Sequence, residues 1–133
     1  MAEVYAQSKI AINIQRALFV NPGPYVTSNR IYNTMGSGAL YINHKVEQLD
    51  LIFQEGVHCV SHDDTLPDLC AKIDFYLEHE VEREHIASAG QKQILQYHTL
   101  EQRIKEHWQV MRLIYENRAG ELPAGAYGKW VKT

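Results

Sequence analysis

The sequence predicts an α/β domain built on a small parallel sheet, half of a doubly wound one. Two observations carry that expectation. Three short runs rich in apolar residues, Lys9–Ile14, Ala39–Asn43 and Val57–Ser61, read as strands. Segments of helical spacing lie between and after them, and strand–helix alternation of this kind builds parallel sheets. Only about three strands are visible, and the chain continues into helices alone.

Each element has a local reason. Lys9–Ile14 (KIAINI) is apolar, with isoleucine at every second position, and ends before the loop signal Asn21-Pro22-Gly23-Pro24. A helix is expected from about Ser28, capped by Thr27 or Ser28, with Ile31, Met35 and Tyr32 turned inward. Gly36-Ser37-Gly38 closes it, because glycine takes the left-handed conformation that ends a helix. Ala39–Asn43 forms the second buried strand. Val46, Leu49, Ile52 and Phe53 recur at helical intervals up to Gly56, and Val57–Ser61 supplies the third strand. After the polar loop at His62–Thr65, Leu66–Leu77 is a helix with Pro67 in its first turn. Its expected inner face is Leu66, Leu69, Cys70, Ile73 and Leu77. A charged helix follows at about Val81–Tyr97. The last helix starts at Thr99, where Thr99-Leu100-Glu101-Gln102 fits a capping box, and runs through Ile104, Trp108, Met111, Leu113 and Ile114. The expected division is one domain at residues 1–118 and an irregular Gly/Pro-containing tail at 119–133.

The 133 residues, 45% of them hydrophobic, suffice for one buried core. A formal charge of −3 and the absence of Lys/Arg clusters argue against nucleic acid and against an anionic membrane surface. No secretory h-region precedes Lys9, and no apolar run reaches membrane-spanning length. Cys59 and Cys70, a strand end and a helix position, suggest a reduced, cytoplasmic setting.

Three further groups have ordinary explanations. His58 and His62, beside Asp63 and Asp64, suggest a metal, but strand residues four apart stand about 13 Å from each other; no metal site is expected. Cys59 follows His58 and points to the opposite face, so the two make no nucleophilic pair. Glu78–Glu84 reads as a solvated helix start, and His79, His85, His98 and His107 as surface or capping residues.

Four stretches in order carry a resemblance: Arg30–Leu40 (RIYNTMGSGAL), Phe53–Gly56 (FQEG), the helix Leu66–Leu77, and Ala89-Gly90 followed by His98–Arg103 (HTLEQR). From about Ser8 to Met111 the chain resembles the C-terminal part of group 1 glycosyltransferases, particularly the spore-maturation type. Their architecture is GT-B, two facing Rossmann-like domains. The resemblance implies a nucleotide or nucleotide-sugar site along Tyr25, Ser28, Asn29, Arg30, Asn33, Gly36 and Gly38. A loop feeding a helix start, with its free N–H groups and positive dipole end, suits a diphosphate there. Asn43 and His44 join the site because α/β ligands bind at the carboxyl ends of strands.

Two departures stand out. The family's ribose-binding glutamate corresponds to Asn33, which can hydrogen-bond a diol without charge assistance. A second family glutamate, near the sugar, corresponds to Tyr25. The resemblance also implies that an acceptor domain and the first half of the sheet lie outside this sequence. The Lys9–Ile14 strand then has an open edge, an association site. A second copy or a partner chain is expected to cover it, and to be needed for any sugar transfer. The reading is a glycosyltransferase-like nucleotide-sugar-binding domain without a further cofactor. The alternative is a non-catalytic interaction or nucleotide-sequestering module derived from one.

Overall fold

A computed structural model describes residues 2–14, 29–46, 49–63 and 65–116. Tyr25, Ser28, the expected caps at residues 27 and 28, Asp64 and the tail at 119–133 lie outside these residues. The chain divides into two compact units, Met1–Gln96 and Tyr97–Thr133.

The first unit is built on strands β1 (Ile10–Asn13), β2 (Leu40–His44) and β3 (Val60–His62), all parallel and in the order β1-β2-β3. Their register aligns Asn13 with Asn43 and His44 with His62. This is half of a Rossmann-like sheet. The central strand β2 is buried from Leu40 through Asn43, the signature of a parallel strand covered on both faces.

Strand periodicity sends alternate residues of β2 into two cores. Leu40 and Ile42 pack with Val60, Leu69, Ile86 and Ala87. Tyr41 faces the other layer, formed by Ile31, Met35, Leu49, Phe53, Cys59 and Ile94. Helix α1 (Ala2–Ala6) precedes the sheet, and α2 (Arg30–Gly36) is the crossover from β1 to β2. Helices α3 (Leu66–Glu78) and α4 (Glu80–Tyr97) follow β3. α4 serves both layers, Ile86 and Ala87 in one and Ile94 in the other.

Several expectations change. The helix read at Val46–Phe53 contracts to one 3-10 turn, Leu49–Leu51, although Leu49 and Phe53 remain core residues. The third strand starts at Val60, because Gly56, at φ 71°, turns the chain and Glu55 bridges Cys59 beforehand. α2 begins later than expected, at Arg30, with Asn29 as a helical N-cap that makes no side-chain bond. In α3, Leu69 is buried and Ile73 packs on the core, whereas Leu66, Cys70 and Leu77 are exposed. Its cap is Thr65, which accepts the Asp68 N–H. The chain's first helix, α1, was not anticipated.

In the second unit, α5 (Leu100–Tyr115) has the expected Thr99 cap, accepting the Gln102 N–H at 3.3 Å. Its apolar residues Ile104, Trp108, Met111 and Ile114 are exposed, and no α5 residue is buried. Among the described residues, no helix is long and apolar enough to cross a membrane.

Candidate functional site

All three strands end in polar residues. Asn13 closes β1, Asn43 and His44 close β2, and His62 closes β3. In a parallel sheet these ends share one edge, the edge at which α/β proteins take their ligands. Asn13, Asn43 and His62 are nonetheless buried, and burial requires each of them to find hydrogen-bond partners.

They find them largely in one another. The Asn13 amide donates to Asn43 Oδ1 at 2.8 Å, and the Tyr41 hydroxyl donates to the same oxygen at 3.1 Å. Arg30, at the start of α2, donates from its guanidinium to Asn13 Oδ1 at 2.8 Å. A chain of side chains thus runs from the exposed cation to the buried phenol. Burial pushes the Tyr41 phenol well above its usual pKa, against the lowering influence of Arg30, so it remains a donor. On β3, the His62 ring spans two backbone carbonyls, Nδ1 facing Asp63 O and Nε2 facing Asn13 O at 3.3 Å. It ties the end of β1 to the end of β3. The His44 ring lies edge-on to it, with centroids 6.0 Å apart.

The strand ends thus present one fixed cation, two amides and a phenol on one face of the sheet and two imidazoles on the other. Asp63, next to His62, commits its carboxylate to the Thr65 N–H and hydroxyl at 2.9 and 2.5 Å. Such an arrangement can hold a ligand bearing negative charge and hydroxyl groups. It offers no activated nucleophile: Cys59 is fully buried, and burial, then the Glu55 carboxylate, push its thiol up to about 12.

The sheet separates the residues expected to form a site. Arg30, Asn43 and His44 come together at the carboxyl end. Asn33 lies exposed on α2, one turn beyond Arg30. Asn29 sits at the helix start. Gly36 and Gly38 fall at the other end of the crossover, where the chain enters β2. Gly38 has φ 88°, which suits only glycine well, and the space beside Gly36 is closed by the Ile94 side chain. Gln91 also donates to the Gly36 carbonyl at 3.2 Å.

Other motif residues hold the fold as well. Phe53 is a core side chain packed edge-on against Tyr32. Glu55 accepts from the Ser61 N–H and hydroxyl at 2.7 and 2.5 Å, fastening the turn to β3. A Cβ on Gly90 would come within 2.4 Å of the His58 carbonyl oxygen, so α4 crosses that backbone only without a side chain. In the second unit, Arg103 donates to His98 Nδ1 and pairs with Glu106 at 2.9 Å, beside the Thr99 cap.

A family model described as glycosyl transferase-like matches residues 1–109. The chain belongs to that glycosyl transferase-like family. No match was found among curated proteins or among solved structures. The order of motif stretches therefore has a structural meaning in this glycosyl transferase-like chain: most of them shape turns, caps and helix crossings.

Sequence reasoning missed Asn13, Tyr41 and His62. Asn13 was hidden by extending the first strand to Ile14, and His62 was weighed only with His58 as a metal ligand. The two histidines do different things. His58 Nδ1 accepts the Gln54 N–H at 3.0 Å, and burial lowers its pKa. Among the described residues, no group of three or more His, Cys, Asp or Glu could hold a metal ion. The signal that could have found Asn13 and His62 was positional: a polar residue at the carboxyl end of every strand.

Proposed function

We propose that this chain is a nucleotide-sugar-binding domain of the group 1, spore-maturation type, the donor-side half of a GT-B arrangement. The observation that carries the reading is the polar chain Arg30–Asn13–Asn43–Tyr41 at the carboxyl ends of β1 and β2. Arg30 supplies the positive charge for a diphosphate, and a guanidinium suits planar, bidentate phosphate contact. Asn33, one helical turn beyond Arg30, is the candidate for the ribose hydroxyls. Asn43 and His44, beside His62, line the sugar side, while Tyr25, Ser28 and Asn29 complete the nucleotide side. Gly36 and Gly38 support it by setting the crossover.

Sugar transfer then requires a second protein surface for the acceptor. Among the described residues β1 has a strand neighbour on one side only, and an unpaired edge favours association. A second copy or a partner chain covering that edge is the matching expectation. The free thiols of Cys59 and Cys70 support a reducing, cytoplasmic setting.

Two observations favour the alternative, a non-catalytic interaction module. The cluster amides are already bonded to one another, and Asn33 stands where the family has a carboxylate.

A thermal-shift and calorimetric screen with UDP, GDP and their sugars separates the two. The donor-domain reading predicts a stabilising shift that shrinks in Asn33→Ala and disappears in Arg30→Met. A shift with none of these compounds would leave the interaction module as the better description.

A further inference from the structure

In the C-terminal unit, α5 carries an exposed apolar stripe. Leu100, Ile104, Trp108, Met111, Ile114 and Tyr115 are all at least 55% exposed, Tyr115 reaching 90%. Their steps of three and four residues put them on one face of α5. α3 and α4 each bury residues, whereas α5 buries none. A helix of this length is marginal without packing, so the stripe calls for a partner.

We infer that the partner is a second copy of the same helix, packed antiparallel across a two-fold axis. The charges beside the stripe select this occupant. Glu101, Lys105 and Arg112 line one edge of it. In an antiparallel two-fold pair, the same edge of each copy faces its counterpart. With the axis between Glu106 and His107, Glu101 of each copy stands opposite Arg112 of the other, and the match occurs twice. Ile104, Trp108 and Met111 of the two copies then interleave at the centre. A parallel pair instead turns Glu101 toward the edge carrying Arg103, which is engaged with Glu106 and His98. In the single chain, Glu101 pairs with Lys105 at 2.7 Å and Arg112 with Glu116 at 3.7 Å. These are solvent-exposed contacts of the weak kind that can be exchanged.

The area is adequate. A stable interface takes roughly 800 Å² from each partner. Trp108 and Tyr115 supply about 150–250 Å² each on full burial, and the four aliphatic side chains bring the total near that range. A membrane surface fits less well, because α5 mixes acidic and basic residues where a lipid-binding helix is mainly basic. The inference goes beyond nucleotide binding and stands whether or not the β1 edge is paired.

Analytical ultracentrifugation of the full chain tests it. The wild type should sediment as a concentration-dependent dimer at micromolar concentration, and Trp108→Glu as a monomer. Should that variant fail to fold, charge exchange decides: Glu101→Arg should weaken the dimer roughly tenfold, and adding Arg112→Glu should restore it. A wild type that stays monomeric to roughly 100 μM overturns the inference. So does a dimer indifferent to these substitutions, or a monomer whose tryptophan emission shifts on anionic vesicles.

Discussion

The two ends of the sheet are built on opposite terms. At the amino end, where the chain enters β2 and β3, glycines set the geometry: Gly38 and Gly56 in the left-handed region, and Gly90 against the His58 carbonyl. At the carboxyl end they are polar: Asn13, Asn43, Tyr41 and Arg30 bonded in series, with His62 across the strands. The motif glycines that carry the family resemblance gather at the first end. The side chains able to meet a ligand gather at the second. A glycine-rich stretch beside a helix can therefore mark fold rather than site, and here the helix α2 separates the two.

The largest expected effect is at the amino end. Gly90→Ala puts a methyl within 2.4 Å of a backbone oxygen, and backbone cannot step aside as a side chain would. The loss should reach the upper end of the roughly 1–3 kcal/mol typical of overpacking, despite up to about 1 kcal/mol of gained helix propensity. Urea denaturation checks it through a lower midpoint at unchanged slope. A neutral outcome would break the steric account of this end.

Asn43→Leu probes the opposite end. It removes the acceptor shared by Asn13 and Tyr41, and each buried group left unpaired costs about 1–3 kcal/mol. If the chain binds a nucleotide, that binding should weaken along with stability. Gly38→Ala is the sharper contrast: it should cost about 1–2 kcal/mol for a left-handed alanine while leaving any nucleotide affinity of the folded protein intact. If Gly38→Ala lowered affinity as far as Asn43→Leu does, the division between the two ends would fail.

The smallest effect is a pH dependence at the amino end. Burial lowers the His58 pKa below 6.5, and its Nδ1 accepts the Gln54 N–H, which only a ring unprotonated at that nitrogen can do. The unfolded chain therefore binds the proton more readily, and stability increases with pH in this window. The His58 contribution should be complete above about pH 6.5 and fade as pH falls through the lowered folded-state value. Comparing wild type with His58→Gln between about pH 7 and 5 should show the wild type losing stability faster. Parallel curves would remove His58 from the account.

Much of this architecture was legible from residue order. The three strands, α3, α4, and α5 with its Thr99 cap follow from local signals, because β-branched runs, glycine stops and capping threonines act over a few residues. α4 was found only as a charged helix. Its buried face is Arg83, Ile86, Ala87, Gly90 and Ile94, and an arginine and a glycine within it blur the apolar period. Arg83 is buried with its guanidinium bonded to the Tyr76 carbonyl in α3 and to Glu80 one turn back, a use that apolar spacing does not announce. The 3-10 turn at Leu49 misled for the opposite reason: helical spacing was present, but the chain needed only one turn to seat Leu49 and Phe53.

Of the site, Arg30, Asn43 and His44 were reachable from general rules, the last two from the strand-end rule alone. Asn13 was hidden once the first strand was extended to Ile14, and its partners lie far off in sequence, Arg30 seventeen residues away and Asn43 thirty. The helix α5 was legible from its apolar spacing, but amphipathicity reports that a face wants a partner and is silent about which.

The division between the two ends is tested most directly by amide chemical-shift mapping with a UDP- or GDP-sugar added to the full chain. Perturbations should concentrate at Asn13, Arg30, Asn33, Asn43, His44 and His62, and be small at Gly38, Gly56 and Gly90. Perturbations centred on those glycines, or none with any nucleotide sugar, would contradict the assignment of ligand binding to the carboxyl end of the sheet.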